Sequence, residues 1–283
     1  MRMRDISVQR LSDAVAQLFL TANYEIGPDI QQAVDCAAQT EPSPIGKNVL
    51  NQLSENYRIA REERIAICQD TGMAVLFIDV GQEVHFTGGD FEQAVQAGVR
   101  RAYSEGYLRK SVVDDPVFDR KNTGDNTPAV IHLRIVPGDK VSILATAKGF
   151  GSENMSAVKM LTPAQGVEGV RDFIIETAKN AGPNPCPPMI IGVGVGGTFE
   201  QAALMAKRMT AAPLHTHHPD PRYAALEQEA LAAINRLGIG PAGIGGRTTA
   251  LAVHIATAPT HIAGLPVAVN ICCHAARHAE ITL

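Results

Sequence analysis

The stretch Ile65-Ala66-Ile67-Cys68-Gln69-Asp70-Thr71-Gly72-Met73-Ala74-Val75-Leu76-Phe77-Ile78 places a thiol, an amide and a carboxylate on consecutive residues between two apolar runs. Polar chemistry that interrupts a buried, β-like run predicts a site at a strand end or sharp turn rather than in a solvated loop. Taken alone, the five central residues have a competing reading: a buried structural cysteine beside a turn-forming Asp-Thr-Gly.

Working outward, residues 8–22 and 28–39 carry apolar positions at helical spacing, including Leu11, Val15, Leu18 and Phe19. Glu41-Pro42-Ser43-Pro44 breaks the chain, and Ser43 or Pro44 then opens a third helix through Leu53 to about Ala60. Beyond the Cys68 turn, Asp90 caps a helix over 91–104. Residues 128–136 and 140–147 read as a hairpin around Pro137-Gly138-Asp139. Thr162-Pro163 opens a helix to about Ala181, with proline at its first position. Residues 188–197 read as a buried strand running into a glycine-rich turn, and Gly197 or Thr198 starts the next helix, through Met209. A helix over 221–237, a glycine-rich loop over 238–246 and strands over 249–257 and 266–271 follow. The expected fold is mixed α and β, a helical N-terminal lobe followed by β-sheet elements flanked by helices. This is one domain, 1–283, with two lobes, 1–65 and 66–283.

Of the 283 residues, 45% are hydrophobic and 19% charged, the composition of a folded globular chain with a sizeable core. A net charge of -4 argues against nucleic-acid and anionic-membrane partners. No apolar run approaches the roughly 20 residues of a membrane span. The start, Met1-Arg2-Met3-Arg4-Asp5, is charged and leads into no apolar region, so no secretion signal is read and a cytosolic location is expected. The five cysteines, at 36, 68, 186, 272 and 273, are odd in number and widely spaced. They form neither a disulfide framework nor paired C-x-x-C knuckles. A metal would have to draw on distant parts of the chain.

Several segments can carry chemistry. Gly192, Gly194 and Gly197 satisfy G-x-G-x-x-G between a strand and a helix. The strand and acid that a dinucleotide site needs about 20 residues on are replaced by Pro213-Leu214-His215-Thr216-His217-His218-Pro219-Asp220. A helix N-terminus of this kind serves any anion, carboxylates included. Residues 109–128 make a long polar loop, exposed or functional. Lys148-Gly149-Phe150-Gly151-Ser152-Glu153-Asn154 offers backbone N–H groups and a lysine to an anion. His215, His217 and His218 suit either a metal or a helix cap and turn. His254, within an apolar strand, reads as a core histidine, and His261 reads equally as structural or functional. Cys186 is fixed among prolines in Asn184-Pro185-Cys186-Pro187-Pro188. Cys272 and Cys273 end a strand, so only one of them can face a given site.

Five of these segments, in order, carry a resemblance. They are Cys68–Gly72, Asn122-Thr123-Gly124-Asp125-Asn126-Thr127-Pro128-Ala129, Lys148–Asn154, Gly192–Gly197 and the run from Pro259-Thr260-His261 to Asn270. Together they resemble class I, iron–sulfur-dependent fumarate hydratase from about residue 5 onward, and in particular its α subunit, or N-terminal domain. The tartrate dehydratase α subunit has the same plan. The resemblance implies a [4Fe–4S] cluster held by Cys68, Cys186 and Cys273, with one iron left without a cysteine. Cys273 is preferred to Cys272 because it directly precedes His274-Ala275-Ala276-Arg277, and Cys36 has no such motif. The resemblance also implies Asp70 as the acid that protonates a departing hydroxyl, and Gln69, Arg109, Gly149 and Gly151 as binders of substrate carboxylates. His261 would be a further contact to the substrate. The expected activity is reversible hydration of fumarate to L-malate, with tartrate or methylfumarate as alternative substrates. A nucleotide-dependent oxidoreductase using the Gly192–Gly197 turn is the alternative of a different class. The expected partner is a β subunit in an α2β2 assembly, supplying the base that this chain does not evidently carry.

Overall fold

The computed structural model of the protein describes residues 3–283, so Met1 and Arg2 of the charged start lie outside the described residues. The elements run β1 (Arg4–Ser7), α1 (Val8–Tyr24), α2 (Pro28–Thr40), α3 (Pro44–Glu63), β2 (Met73–Gly81), β3 (Val84–Thr87), α4 (Phe91–Glu105), β4 (Val130–Val136) and β5 (Val141–Lys148). Then follow α5 (Phe150–Glu153), β6 (Ala157–Leu161), α6 (Gly166–Ala181), β7 (Met189–Gly196), α7 (Phe199–Met209), α8 (Pro221–Asn235), β8 (Ala250–Ala258), β9 (Leu265–Cys272) and β10 (His278–Thr282). The mixed α and β class is as the sequence predicts. Among the described residues no helix is long and apolar enough to cross a membrane.

The chain forms two compact units. The first comprises the chain up to Gly27, residues 57–149 and residues 277–283; the second comprises residues 28–56 and 150–276. The residues of the helical stretch 1–65 are therefore divided between them.

In the first unit a four-stranded sheet runs β10-β5-β2-β4. Ala74, Leu76, Ile78 and Val80 of β2 share one face at the strand period of two, and they join a core with Leu11, Val15 and Phe19 of α1 and Val95, Val99 and Tyr103 of α4. Both helices begin on side-chain caps: Ser7 Oγ accepts from the Arg10 N–H at 3.2 Å and Asp90 Oδ1 from that of Gln93 at 2.7 Å. The expected hairpin of 128–136 with 140–147 is not formed. β2 lies between these strands, parallel to β4 and antiparallel to β5. The reason is burial. β2 is apolar over almost its whole length and is enclosed on both faces, so it takes the inner position and a ladder on each side. The Pro137–Asp139 turn closes over the end of β2 instead: the Glu83 N–H donates to the Gly138 carbonyl at 3.1 Å and the Gly81 N–H to that of Lys140 at 2.8 Å. Ile65-Ala66-Ile67 is irregular, so only the run after the Cys68 turn is a strand.

In the second unit the sheet order is β6-β9-β7-β8. Met189, Ile191, Val193 and Val195 of β7 meet Val170, Phe173 and Ile174 of α6 and Leu226, Ala230 and Ile234 of α8. The other face of β7 carries Gly192 and Gly194, and α7 lies directly on them. A Cβ on Gly192 would be 2.0 Å from the Ala206 carbonyl oxygen, and one on Gly194 would be 2.1 Å from that of Ala202. These two glycines are thus spent on bringing a helix backbone onto a strand. The helix expected from Thr162 to Ala181 is split: Thr162 caps a short 3-10 turn, Pro163–Gln165, and Gly166 at φ +52° separates it from α6. The short strands β1, β3, β6 and β10 have too few residues to give a periodic signal in the sequence.

Gly194→Ala is expected to lower the stability of the second unit by about 3 kcal/mol, the upper end of overpacking effects, because the obstructing atom is backbone and cannot swing aside. Gly138→Ala, where a Cβ meets nothing within 4 Å but φ is +104°, is expected to cost about 1–2 kcal/mol. Chemical denaturation of both variants checks this; equal losses would contradict the packing role of Gly194.

Candidate active site

In the first unit, Cys68–Gly72 forms the turn that enters β2. Asp70 Oδ1 accepts the Gly72 N–H at 3.0 Å, a local turn that aspartate favours. Gly72 has φ +75°, and a Cβ there would lie 2.8 Å from backbone atoms of Ala147 and Lys148, so no other residue fits. The carbonyl groups of the turn are held from two directions. The Tyr103 hydroxyl donates to the Thr71 oxygen at 2.8 Å and to the Gly72 oxygen at 3.0 Å. Asn126 Nδ2 donates to the Gly72 oxygen at 3.1 Å, while its Oδ1 accepts from the Ser111 N–H at 2.7 Å. Thr71 Oγ1 donates to the Arg109 carbonyl at 3.0 Å. Burial pushes the Tyr103 phenol well above its ordinary pKa, so it remains a donor.

The Asp70 carboxylate lies over Gly149. A Cβ on Gly149 would sit 3.1 Å from Asp70 Oδ2 and 3.1 Å from Arg277 Nη2, and Arg277 Nη1 donates to the Asp70 carbonyl. Asp70, Gly149 and Arg277 are thus brought together. Cys68 is half-buried, while the Gln69 and Arg109 side chains are exposed, with Arg109 joined to the turn through its carbonyl. The long loop after Arg109 is structured by its own side chains, and Asn126, fully buried, is its anchor. Tyr103, Asn126 and Arg277 escape a reading of the sequence. Only an apolar helix face, a turn and a cationic tail announce them, and their role appears when distant segments meet.

In the second unit, Cys186 is exposed and takes φ +52°, a left-handed conformation unusual for a non-glycine residue. Its carbonyl accepts the His274 N–H at 3.4 Å, which sets the segment directly after Cys273 beside it. Cys273 is half-buried, with Sγ 3.6 Å from the Ala275 oxygen, whereas Cys272 is buried in β9 opposite Ile190. Gly151 is exposed within α5. His261 is exposed in the turn between β8 and β9, where its Nδ1 accepts the Ala263 N–H at 3.2 Å. Glu153 of α5 pairs with Lys207 and accepts from Asn270 Nδ2 at 3.0 Å, tying α5 to α7 and β9.

His217, His218 and His254 make structural contacts. Buried Glu227 accepts from the Ile255 N–H at 2.8 Å and from the His218 N–H at 3.2 Å, and it meets His217 Nδ1 at 3.2 Å. His218 Nδ1 accepts from the N–H of Asp220, the cap of α8. His254 is buried in β8 with Nδ1 3.3 Å from the Met209 carbonyl, and burial pulls its pKa down.

Donor chemistry limits what these residues can hold. Among the described residues no three or more His, Cys, Asp or Glu side chains converge as ligands for one metal ion. A single ion demands such convergence, with thiolates at about 2.3 Å. Cys68, Cys186 and Cys273 are in no disulfide and are not fully buried, and soft thiolates are the ligands of iron–sulfur clusters. Taken singly, each thiol has the donor chemistry of an iron–sulfur ligand.

Asp125 shows how charge supports the turn. Its Oδ1 accepts from the Thr127 N–H at 3.0 Å and hydroxyl at 2.7 Å, and its Oδ2 accepts from Arg100 Nε at 2.7 Å. Burial acts to raise its pKa, but these partners outweigh it and bring the value from 3.8 to about 2. Because the folded value is the lower, the stabilisation is complete above about pH 4 and is lost as pH falls toward 2. Asp125→Asn is expected to flatten the acid limb of stability between pH 4 and 2; an unchanged limb would show that Asp125 does not support the loop.

Residues 12–282 match the family described as Fumarate hydratase (Fumerase). A protein of Methanocaldococcus jannaschii named "Putative L(+)-tartrate dehydratase subunit alpha" is 39% identical over 274 residues, covering 95% of this chain and 96% of its own. The L(+)-tartrate dehydratase subunit alpha of Escherichia coli strain K12 is 31% identical over 286 residues, covering 98% and 93%. The relative of the same name in strain UTI89 shows the same identity and coverage. This likeness runs across both units and through every segment of the candidate site, and the chain belongs to the fumarate hydratase (Fumerase) family.

Proposed function

We propose that this chain is the α subunit of a hydro-lyase that removes water from, or adds it to, a four-carbon dicarboxylate. The observation that carries the reading is the Asp70 carboxylate, held at a strand entrance against Gly149 and Arg277, two residues from the thiol of Cys68. Cys68, Cys186 and Cys273 would hold a [4Fe–4S] cluster. When bound, a cluster with three cysteine ligands supplies a Lewis-acidic iron with an open position.

The chain's own residues do the rest. Asp70 is the acid that protonates the departing hydroxyl. Its Oδ1 accepts the Gly72 N–H, which fixes the direction of the carboxyl group. Gln69, Arg109 and the Gly149 and Gly151 backbone bind and orient the two substrate carboxylates, with His261 as a further contact. Arginine suits this task because its planar fork meets a carboxylate with two hydrogen bonds. Removal of the proton from the neighbouring carbon needs a base, which we assign to a β subunit, in keeping with relatives named as alpha subunits. An α2β2 assembly follows the same reasoning.

On substrate, fumarate and L-malate come first from the sequence resemblance, whereas the named relatives favour L(+)-tartrate. Both undergo the same elimination, and tartrate differs by a second hydroxyl on the carbon that loses the proton. Methylfumarate is a further possibility within this class. The nucleotide reading gains no support, because Gly192 and Gly194 are occupied by α7.

Anaerobic reconstitution of the chain with its partner, assayed on L(+)-tartrate, L-malate, fumarate and methylfumarate, tests the reading; turnover of none of them sinks it. Serine in place of Cys68, Cys186 or Cys273 is expected to lower bound iron, whereas Cys36→Ser and Cys272→Ser are expected to leave it unchanged. Asp70→Asn is expected to reduce kcat by about 10²–10⁴-fold with iron content intact, as for loss of a general acid. An unchanged kcat would place the acid elsewhere.

A further inference from the structure

We infer that Arg277 is a positioning residue for Asp70, holding its main chain while lying beside the same Gly149 that its carboxylate covers; the inference rests on Asp70 being the acid of the proposed reaction. Arg277 is only 2% exposed, although guanidinium groups are rarely buried without a task. Its Nη1 donates to the Asp70 carbonyl, and its own carbonyl accepts the Ala147 N–H at 3.0 Å, which ties it to the end of β5. Its Nη2 and Asp70 Oδ2 both lie 3.1 Å from the point where a Gly149 Cβ would sit. One planar group therefore reaches the backbone of Asp70 with one arm and neighbours its carboxylate with the other. Oδ1 of the same carboxylate accepts the Gly72 N–H at 3.0 Å, so the main chain of Asp70 and one of its carboxylate oxygens are each held. A lysine, offering one point charge, cannot span the two positions.

A second observation points the same way. Arg277 Nε is buried and finds no hydrogen-bond partner among the described residues. A buried guanidinium N–H without an acceptor is unfavourable, so this donor is left for an oxygen that arrives from outside, of water or of the substrate. The absence of a side chain at Gly149 is part of the same device, since a methyl group there would crowd both Oδ2 and Nη2.

The test uses the anaerobically loaded complex with its partner subunit, carrying R277A or R277K. Bound iron, melting temperature, kcat and KM are measured with and without added guanidinium ion. R277A is expected to keep its iron and to hold KM within a few-fold. Its kcat should fall about 10²-fold, the usual effect of a misplaced catalytic group. Guanidinium should restore at least part of kcat in R277A and none in D70N. Wild-type kcat in R277A, or a loss that tracks iron release and ignores guanidinium, overturns the inference. Should R277A fail to fold, R277K decides: reduced kcat at normal iron content supports it and wild-type kcat overturns it. If the unaltered complex turns over no dicarboxylate, the functional reading fails. Amide exchange over residues 69–73 then judges Arg277 separately, faster exchange confined to that segment in R277K supporting it and unchanged exchange overturning it.

Discussion

The peptide bonds on either side of Gly72 are the constraint on which the first unit depends. With φ +75° and no room for a side chain, Gly72 lets the chain reverse and pass directly beneath the end of β5. Two segments satisfy its carbonyl and that of Thr71, α4 through Tyr103 and the loop through Asn126, while the Thr71 hydroxyl donates onward to the Arg109 carbonyl. Buried main-chain groups must find partners, and here the partners are also the walls of the candidate site. Order in the turn and placement of Asp70 are one physical fact.

This explains which parts of the molecule were legible beforehand. Helices announce themselves by period and cap, and Asp90 and Thr198 stand one residue before the helices they start. Buried strands such as β7 are visible as apolar runs. Pairing is not local, so nothing in Pro137-Gly138-Asp139 tells that β2 will separate the two strands flanking that turn. The Cys68–Gly72 turn and the cysteines could be picked out by motif. Tyr103 and Arg277 could not, since a buried hydroxyl on an apolar helix face and an arginine in a cationic tail look ordinary until their partners are known.

The glycine-rich strand shows how a motif can be spelled for another purpose. A dinucleotide fingerprint needs glycines so that a backbone can approach a pyrophosphate. Gly192 and Gly194 use the same freedom to receive Ala202 and Ala206 of α7, with the carbonyl oxygens of that helix filling the space a ligand would need. The chemistry of small residues is identical in both cases; what differs is the identity of the visitor.

The return of the chain at Arg277 has a consequence for biosynthesis. α1 packs on β10 and β5, yet β10 is translated only after all the residues of the second unit. The second unit gains its residues 150–276 as one uninterrupted piece. The first must keep an apolar helix and an incomplete sheet waiting, with β5 exposing a free edge until His278–Thr282 arrives to cover it. The unit that is begun first is thus completed last, and the segment bearing Arg277 joins Asp70 only as β10 docks.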